Sequence, residues 1–251
     1  MCTMSLFRDQ QTLIVTMNRD EARLRTEAGL KQQQLGNIQV LYPVDGLAGG
    51  TWFGLNDSGV VMALLNRYQD PQIEGAETRG AIIPLALAKG DYSDVLEHLN
   101  GSDFSRFNPF DLFVIGIDNS DHFSWNGQQV TVTKRSENAL LFSSSSLNTE
   151  LVLDKRQARF EQWLKQQPEQ IWHAPQILQQ LHLYQDPLDP SDSVLMDRLN
   201  THSKSICQVH LQADQCRFSY YPEASLNQWR QQRSDIEQLP RQLSEFKLQK
   251  Q

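Results

Sequence analysis

A chain of 251 residues with 39% hydrophobic and 21% charged residues can bury one large core, and its length points to a single domain. The net charge of −7 opposes contact with a nucleic-acid backbone, because an acidic field repels phosphate before any local contact forms. No apolar run approaches the roughly 20 residues that a membrane helix needs, so no integral membrane segment is expected.

In chain order, "CTMSLF", "RDQQ" and "TLIVTM" read as strand, turn and strand, rich in β-branched and apolar residues. With the turn centred between Asp9 and Gln10, Cys2 is expected opposite Met17 and Met1 opposite Asn18. A polar stretch follows. "GGTWFGL" and "VVMALLN" then flank "NDSG", whose Asn, Asp and Gly suit a tight turn, and this is the clearest hairpin of the chain. "RGAIIPLALAKG" reads as a buried helix with Pro84 near its first turn, and "DYSDVLEHLN" as a second, with Asp91 as its N-cap. Two helices thus follow four strands.

"FDLFVIGID", "HFSWN", "QVTVTK" and "ALLFSSSS" continue as strands, and "DKRQARFEQWLKQQ" and "APQILQQLHLY" return to helical periodicity. "QDPLDPSDS" is a loop. "SICQVHL" and "CRFSYY" close the pattern as a hairpin that places Cys207 opposite Tyr220, and a polar, flexible tail is expected from about residue 222. Hairpins without a repeated β-α-β unit argue for an α+β fold.

Three cysteines, Cys2, Cys207 and Cys216, lack C-x-x-C spacing, and the histidines lack a metal-ligand pattern, so neither disulfide framework nor metal site is expected. No phosphate-binding glycine motif occurs, and no cofactor is expected. The start lacks both a basic segment and a long apolar core, so a cytoplasmic chain is expected.

The chemistry gathers at the beginning. Removal of Met1 before a residue as small as Cys2 would leave a thiol and a free α-amine on one residue, a nucleophile beside its own base. "NRDE", Asn18 to Glu21, is brought beside it by the first hairpin. An arginine there favours thiolate, and a carboxylate orients the amine. Side chains alternate along a strand, so Asn18 and Asp20 share one face and Arg19 and Glu21 the other. The second hairpin returns Asn66 near the small residues Ala48 to Gly50, where its amide can serve an oxyanion.

"MC", "NRDE", "GGTWFGLNDSGVVMALLN" and the "RG" of Arg79 and Gly80 together resemble the NRDE family, also called the transport and Golgi organisation family. The resemblance implies an N-terminal-nucleophile hydrolase-like fold, a four-layer α-β-β-α sandwich of two antiparallel sheets. It implies Cys2 as nucleophile, Arg19 and Asp20 as its electrostatic partners and Asn66 as oxyanion donor. Ser144, in "FSSSSLN", stands where the family often has Asn, and His202, in "NTHSKS", where it often has Arg. With Asn18, Trp52 and Arg79 these two complete an expected substrate-binding set. The expected activity is hydrolysis of an amide or acyl small molecule, and the alternative is a haem or acyl-lipid carrier on the same fold.

Overall fold

The computed structural model describes residues 1–167, 172–233 and 235–248. β1 (Cys2–Arg8) and β2 (Thr12–Ala22) form the first hairpin, but its turn lies later than the sequence reading placed it. The Asp9 carboxylate accepts from the N–H groups of Gln11 and Thr12 at 2.9 and 2.8 Å, which makes Asp9–Thr12 the turn. Cys2 therefore pairs with Arg19 rather than Met17, and Met1 lies opposite Asp20 rather than Asn18. A shift of two residues leaves each side chain on its expected face.

The polar stretch after "NRDE" is not a loop. It forms β3 (Glu27–Leu35) and β4 (Ile38–Asp45), so six strands, not four, precede the first helix. β3 is an edge strand paired only with β4, and its half-buried face carries Gln33, which accepts from Tyr42 Oη at 2.8 Å, between the exposed Gln32 and Gln34, which hides the alternation that marks a half-buried strand. β5 (Phe53–Asn56) and β6 (Val61–Asn66) pair as read, Phe53 opposite Ala63. α1 (Ile82–Leu87) and α2 (Tyr92–Asn100) follow, and Asp91 caps α2 by accepting from Asp94 N–H at 2.9 Å. β7 (Phe110–Ile115), β8 (Ser120–Trp125) and β9 (Val130–Arg135) complete a seven-stranded antiparallel sheet ordered β3 to β9.

β10 (Ala139–Ser144) returns to the first sheet, and α3 (Thr149–Lys165) and α4 (Ala174–Ile177), which continues in a π-helical turn, cover its outer face. β11 (Thr201–Gln212) and β12 (Gln215–Tyr221) place Cys207 opposite Tyr220, as expected. Beyond Pro222, the residues read as a tail form α5 (Glu223–Gln232) and β13 (Gln242–Lys247), an edge strand on β12. Residue 234 and residues 249–251 of that tail lie outside the described part. The six-stranded sheet runs β10-β1-β2-β11-β12-β13.

Burial separates the layers. Met4, Leu6, Val15, Met17, Cys207 and Phe218 meet Phe53, Leu55, Ala63 and Phe113 between the sheets. Met62, Val114 and Phe123 pack on α1 and α2, while Phe7 and Ile14 pack on Phe160, Trp163 and Ile177 of α3 and α4. Strands such as β6 read as continuous apolar runs because both faces are covered. The architecture is α+β, a four-layer α-β-β-α sandwich of two antiparallel sheets. It places the first residue of β1 inside the sandwich, flanked by β2 and β10.

Candidate active site

Cys2 pairs with Arg19 on one side and Ser144 on the other, and its N–H donates to Ser144 Oγ at 3.1 Å. Being hydrogen-bonded from both neighbours fixes its backbone. A cavity of about 130 Å³ lies there, and Cys2, Arg19, Asp20, Trp52, Asn66 and Arg79 all line it. Residues separated by more than seventy positions along the chain are thus brought to one site.

Arg79 arrives by a close backbone approach. A Cβ on Gly50 would stand 2.7 Å from Gly80 Cα, and one on Gly80 would stand 2.7 Å from Thr51 N, so both positions require glycine. Thr51 N–H donates to Gly80 carbonyl at 3.0 Å and closes the contact. The "GG" and "RG" pairs are one structural device.

Arg19 lies over the Trp52 ring, 4.2 Å from its centroid, and forms ion pairs with Asp45 and, at 2.6 Å, with Glu27. Asp45 also binds Arg25 at 2.8 Å, and Glu27 accepts from Ser205 Oγ at 3.0 Å and Tyr220 Oη at 2.7 Å. Arg19 is therefore rigid and balanced by two buried carboxylates. Asp20 accepts from Ser203 Oγ at 2.6 Å and stands 3.6 Å from Arg156, while its Oδ2 has no hydrogen-bond partner. Burial raises the pKa of the Asp20 carboxyl, against the opposing pull of Arg156 and the terminal amine.

Met1 closes one side of the cavity in the unprocessed chain. Its amine donates to the Asp20 carbonyl at 3.0 Å and to Tyr68 Oη at 2.9 Å, and its Sδ lies 3.2 Å from Arg198 Nη1. Burial disfavours charge on that amine, but Tyr68, Cys2 and Asp20 together hold its pKa above the ordinary value. Asn66 Nδ2 also donates to Tyr68 Oη, at 3.1 Å. Burial pushes the Cys2 thiol up, despite the favourable fields of the amine and Arg19. With Met1 in place the sulfur is held as thiol.

Three of the expected substrate-binding residues do not line the cavity. Asn18 points to the helical layer, where its amide donates to the carbonyls of His182 and Val194 at 2.9 and 3.0 Å, and its Oδ1 meets His182 Nδ1 at 2.6 Å. It is a strut between β2 and the helices. His202 is bound to Glu223 at 2.8 Å and to Arg23 Nη1 at 2.9 Å, on β11 beside α5. Ser144 is buried beside Cys2 and holds its N–H rather than facing the cavity.

Sequence reasoning missed Tyr68, Glu27, Asp45, Arg156 and Arg198. Tyr68 follows Asn66 by two positions and belongs to the same strand end. The others carried no local signal, since Arg156 reaches Asp20 from α3 in the helical layer, more than 130 positions away in the chain, and Arg198 comes from a loop. A larger cavity, about 910 Å³, lies over α1 and α2 and shares no residue with Cys2. Among the described residues no cluster of three or more His, Cys, Asp or Glu side chains could hold a metal ion. No helix among them is long and apolar enough to cross a membrane.

The family model described as Transport and Golgi organisation 2 matches residues 1–221. None of the curated proteins matches the chain by sequence. Among solved structures, a variant of the conjugated bile acid hydrolase from Clostridium perfringens is similar at a TM-score of 0.55 and 10% identity, covering 98% of this chain and 97% of its own. The Caenorhabditis elegans N-acylethanolamine-hydrolyzing acid amidase ortholog is similar at 0.50 and 15% identity, over 64% of this chain and 79% of its own. At these identities the likeness is one of fold, and the fold is that of the N-terminal-nucleophile hydrolases.

Proposed function

The chain belongs to the Transport and Golgi organisation 2 family, and we propose that it is a Cys-dependent amidohydrolase with Cys2 as its N-terminal nucleophile. The single observation that carries this reading is the convergence of Cys2, Arg19, Asp20 and Asn66 on one cavity at the start of β1. Removal of Met1 transfers the free α-amine to Cys2. The Asp20 Oδ2, buried without a hydrogen-bond partner, is the acceptor available to that new amine.

The amine takes the thiol proton, and the thiolate attacks the amide carbonyl, forming the S–C bond as the carbonyl π pair moves to oxygen. Asn66 Nδ2, released from Tyr68, donates to that oxyanion. Collapse expels the amine, which takes the proton from the Cys2 ammonium, and leaves a thioester. Water attacks the thioester, returning the carboxylic acid and the thiol. Arg19, fixed by Asp45 and Glu27, stabilises the thiolate by its field.

The cavity is about 130 Å³ with Met1 lining it, and removal of Met1 opens further space beside Cys2 for the scissile amide. Turnover of a panel of N-acyl amino acids and anilides by the processed chain tests the reading. Cys2→Ala is expected to abolish turnover while keeping the fold; turnover that survives the change refutes the mechanism.

A further inference from the structure

Most of the charges around the cavity are held in ion pairs. Arg19 has Asp45 and Glu27, Arg25 has Asp45 and Glu21, and Asp20 has Arg156. Arg79 stands outside these pairs. Arg79 lines the cavity with Cys2; among the described residues its side chain donates one hydrogen bond, from Nη1 to the Pro109 carbonyl at 2.8 Å, and no carboxylate forms an ion pair with it, Glu21 acting on it only through its field. The pressed glycines Gly50 and Gly80 leave the backbone beside it little freedom to swing away.

A half-buried guanidinium without an anionic partner is costly to keep, and burial lowers its pKa. Its remaining N–H groups form a planar fork that matches a carboxylate. Glu21 and Asp45 also line the cavity, and they repel a phosphate dianion more strongly than a carboxylate monoanion.

We infer that Arg79 is a specificity-determining residue that seats a carboxylate, so that the amides cleaved at Cys2 are ones carrying a free carboxylate. The inference rests on the amidohydrolase reading for the word amide, but the anion seat itself can be tested without turnover. Iodoacetate and iodoacetamide are a matched pair: in both, the Cys2 thiolate displaces iodide and forms an S–C bond, and only the first carries a carboxylate.

The rates of Cys2 alkylation by the two reagents are measured by peptide mass spectrometry on the Met1-processed chain, in wild type, Arg79→Gln and Arg79→Lys. The iodoacetamide rate corrects for any change in thiolate population. The iodoacetate-to-iodoacetamide ratio is expected to fall about tenfold to a hundredfold in Arg79→Gln, the range for loss of a hydrogen bond to a charged group. Arg79→Lys is expected to keep an intermediate ratio. An equal ratio in wild type and Arg79→Gln overturns the inference, as does a Lys variant no better than Gln. Failure of Cys2 to react with either reagent contradicts both the seat and the nucleophile. A ratio that falls as expected in a protein that cleaves no amide rejects the hydrolase reading and keeps the anion seat.

Discussion

The two faces of β2 at "NRDE" carry polar residues for different purposes. Arg19 faces the space between the sheets, beside Cys2, where Trp52, Asp45 and Glu27 hold it against the cavity. Asn18 and Asp20 turn toward the helical layer, and Asn18 is saturated by His182 and Val194. Neighbours in sequence thus divide between chemistry and construction. Asp20 belongs to both, since its carboxyl is anchored to Ser203 and Arg156 while the residue lines the cavity. The motif is a charged patch beside Cys2 on one face and a brace on the other.

Changes on the helical face should cost stability, and changes at the cavity should cost rate. The largest effect is expected from Arg156→Ala, which leaves the Asp20 carboxyl buried without its cation. Chemical denaturation should show a loss of about 3–5 kcal/mol. A stable Arg156→Ala protein with impaired turnover would break the division. On the cavity side, Asn66→Ala is expected to lower kcat by about a hundredfold to a thousandfold, with an unchanged denaturation midpoint. Loss of stability without loss of rate would move Asn66 to the structural side.

A smaller effect is expected from Asn18→Ala, about 1–3 kcal/mol of stability for the unpartnered groups it leaves on His182 and Val194. Its kcat should stay near wild type once the protein is folded. A specific loss of kcat would return Asn18 to the substrate-binding set. The smallest effect sharpens the brace through pH. Burial lowers the His182 pKa to about 3, whereas an unfolded histidine titrates near 6.5. Between those values the unfolded chain binds the extra proton, so stability falls as pH drops below about 6.5 and is unaffected above it. In His182→Gln the pH slope of stability across that window should decrease by one proton, and an unchanged slope would mean that His182 is charged in the fold.

How much was legible follows the same division. The β5–β6 hairpin was readable because apolar runs flank a turn of Asn, Asp and Gly, and the Cys207–Tyr220 pairing because both strands are apolar around a short polar turn. Alternation grouped Arg19 with Glu21 and apart from Asn18 and Asp20, but which pair faces Cys2 depends on the register that the Asp9 turn sets. β3 was not readable, since an edge strand of glutamines needs only one apolar neighbour. Arg156 and Arg198 were also hidden. A lone arginine in an amphipathic helix or a loop gives no local sign that it will meet a carboxylate or a methionine sulfur across the fold. His202 was misplaced because its position was transferred from a motif, whereas a bulge at Lys204 and the docking of α5 decide what it touches.

The central claim is that Cys2, freed of Met1, attacks a carbonyl. The most direct measurement is mass spectrometry of the natively expressed chain, intact and after acid quench during turnover of a carboxylate-bearing anilide. The result expected is a chain lacking Met1 that carries the acyl group on the Cys2 peptide. A chain that lacks Met1 and turns over the anilide with no acyl group on Cys2, or one that retains Met1 and still cleaves it, would contradict the account.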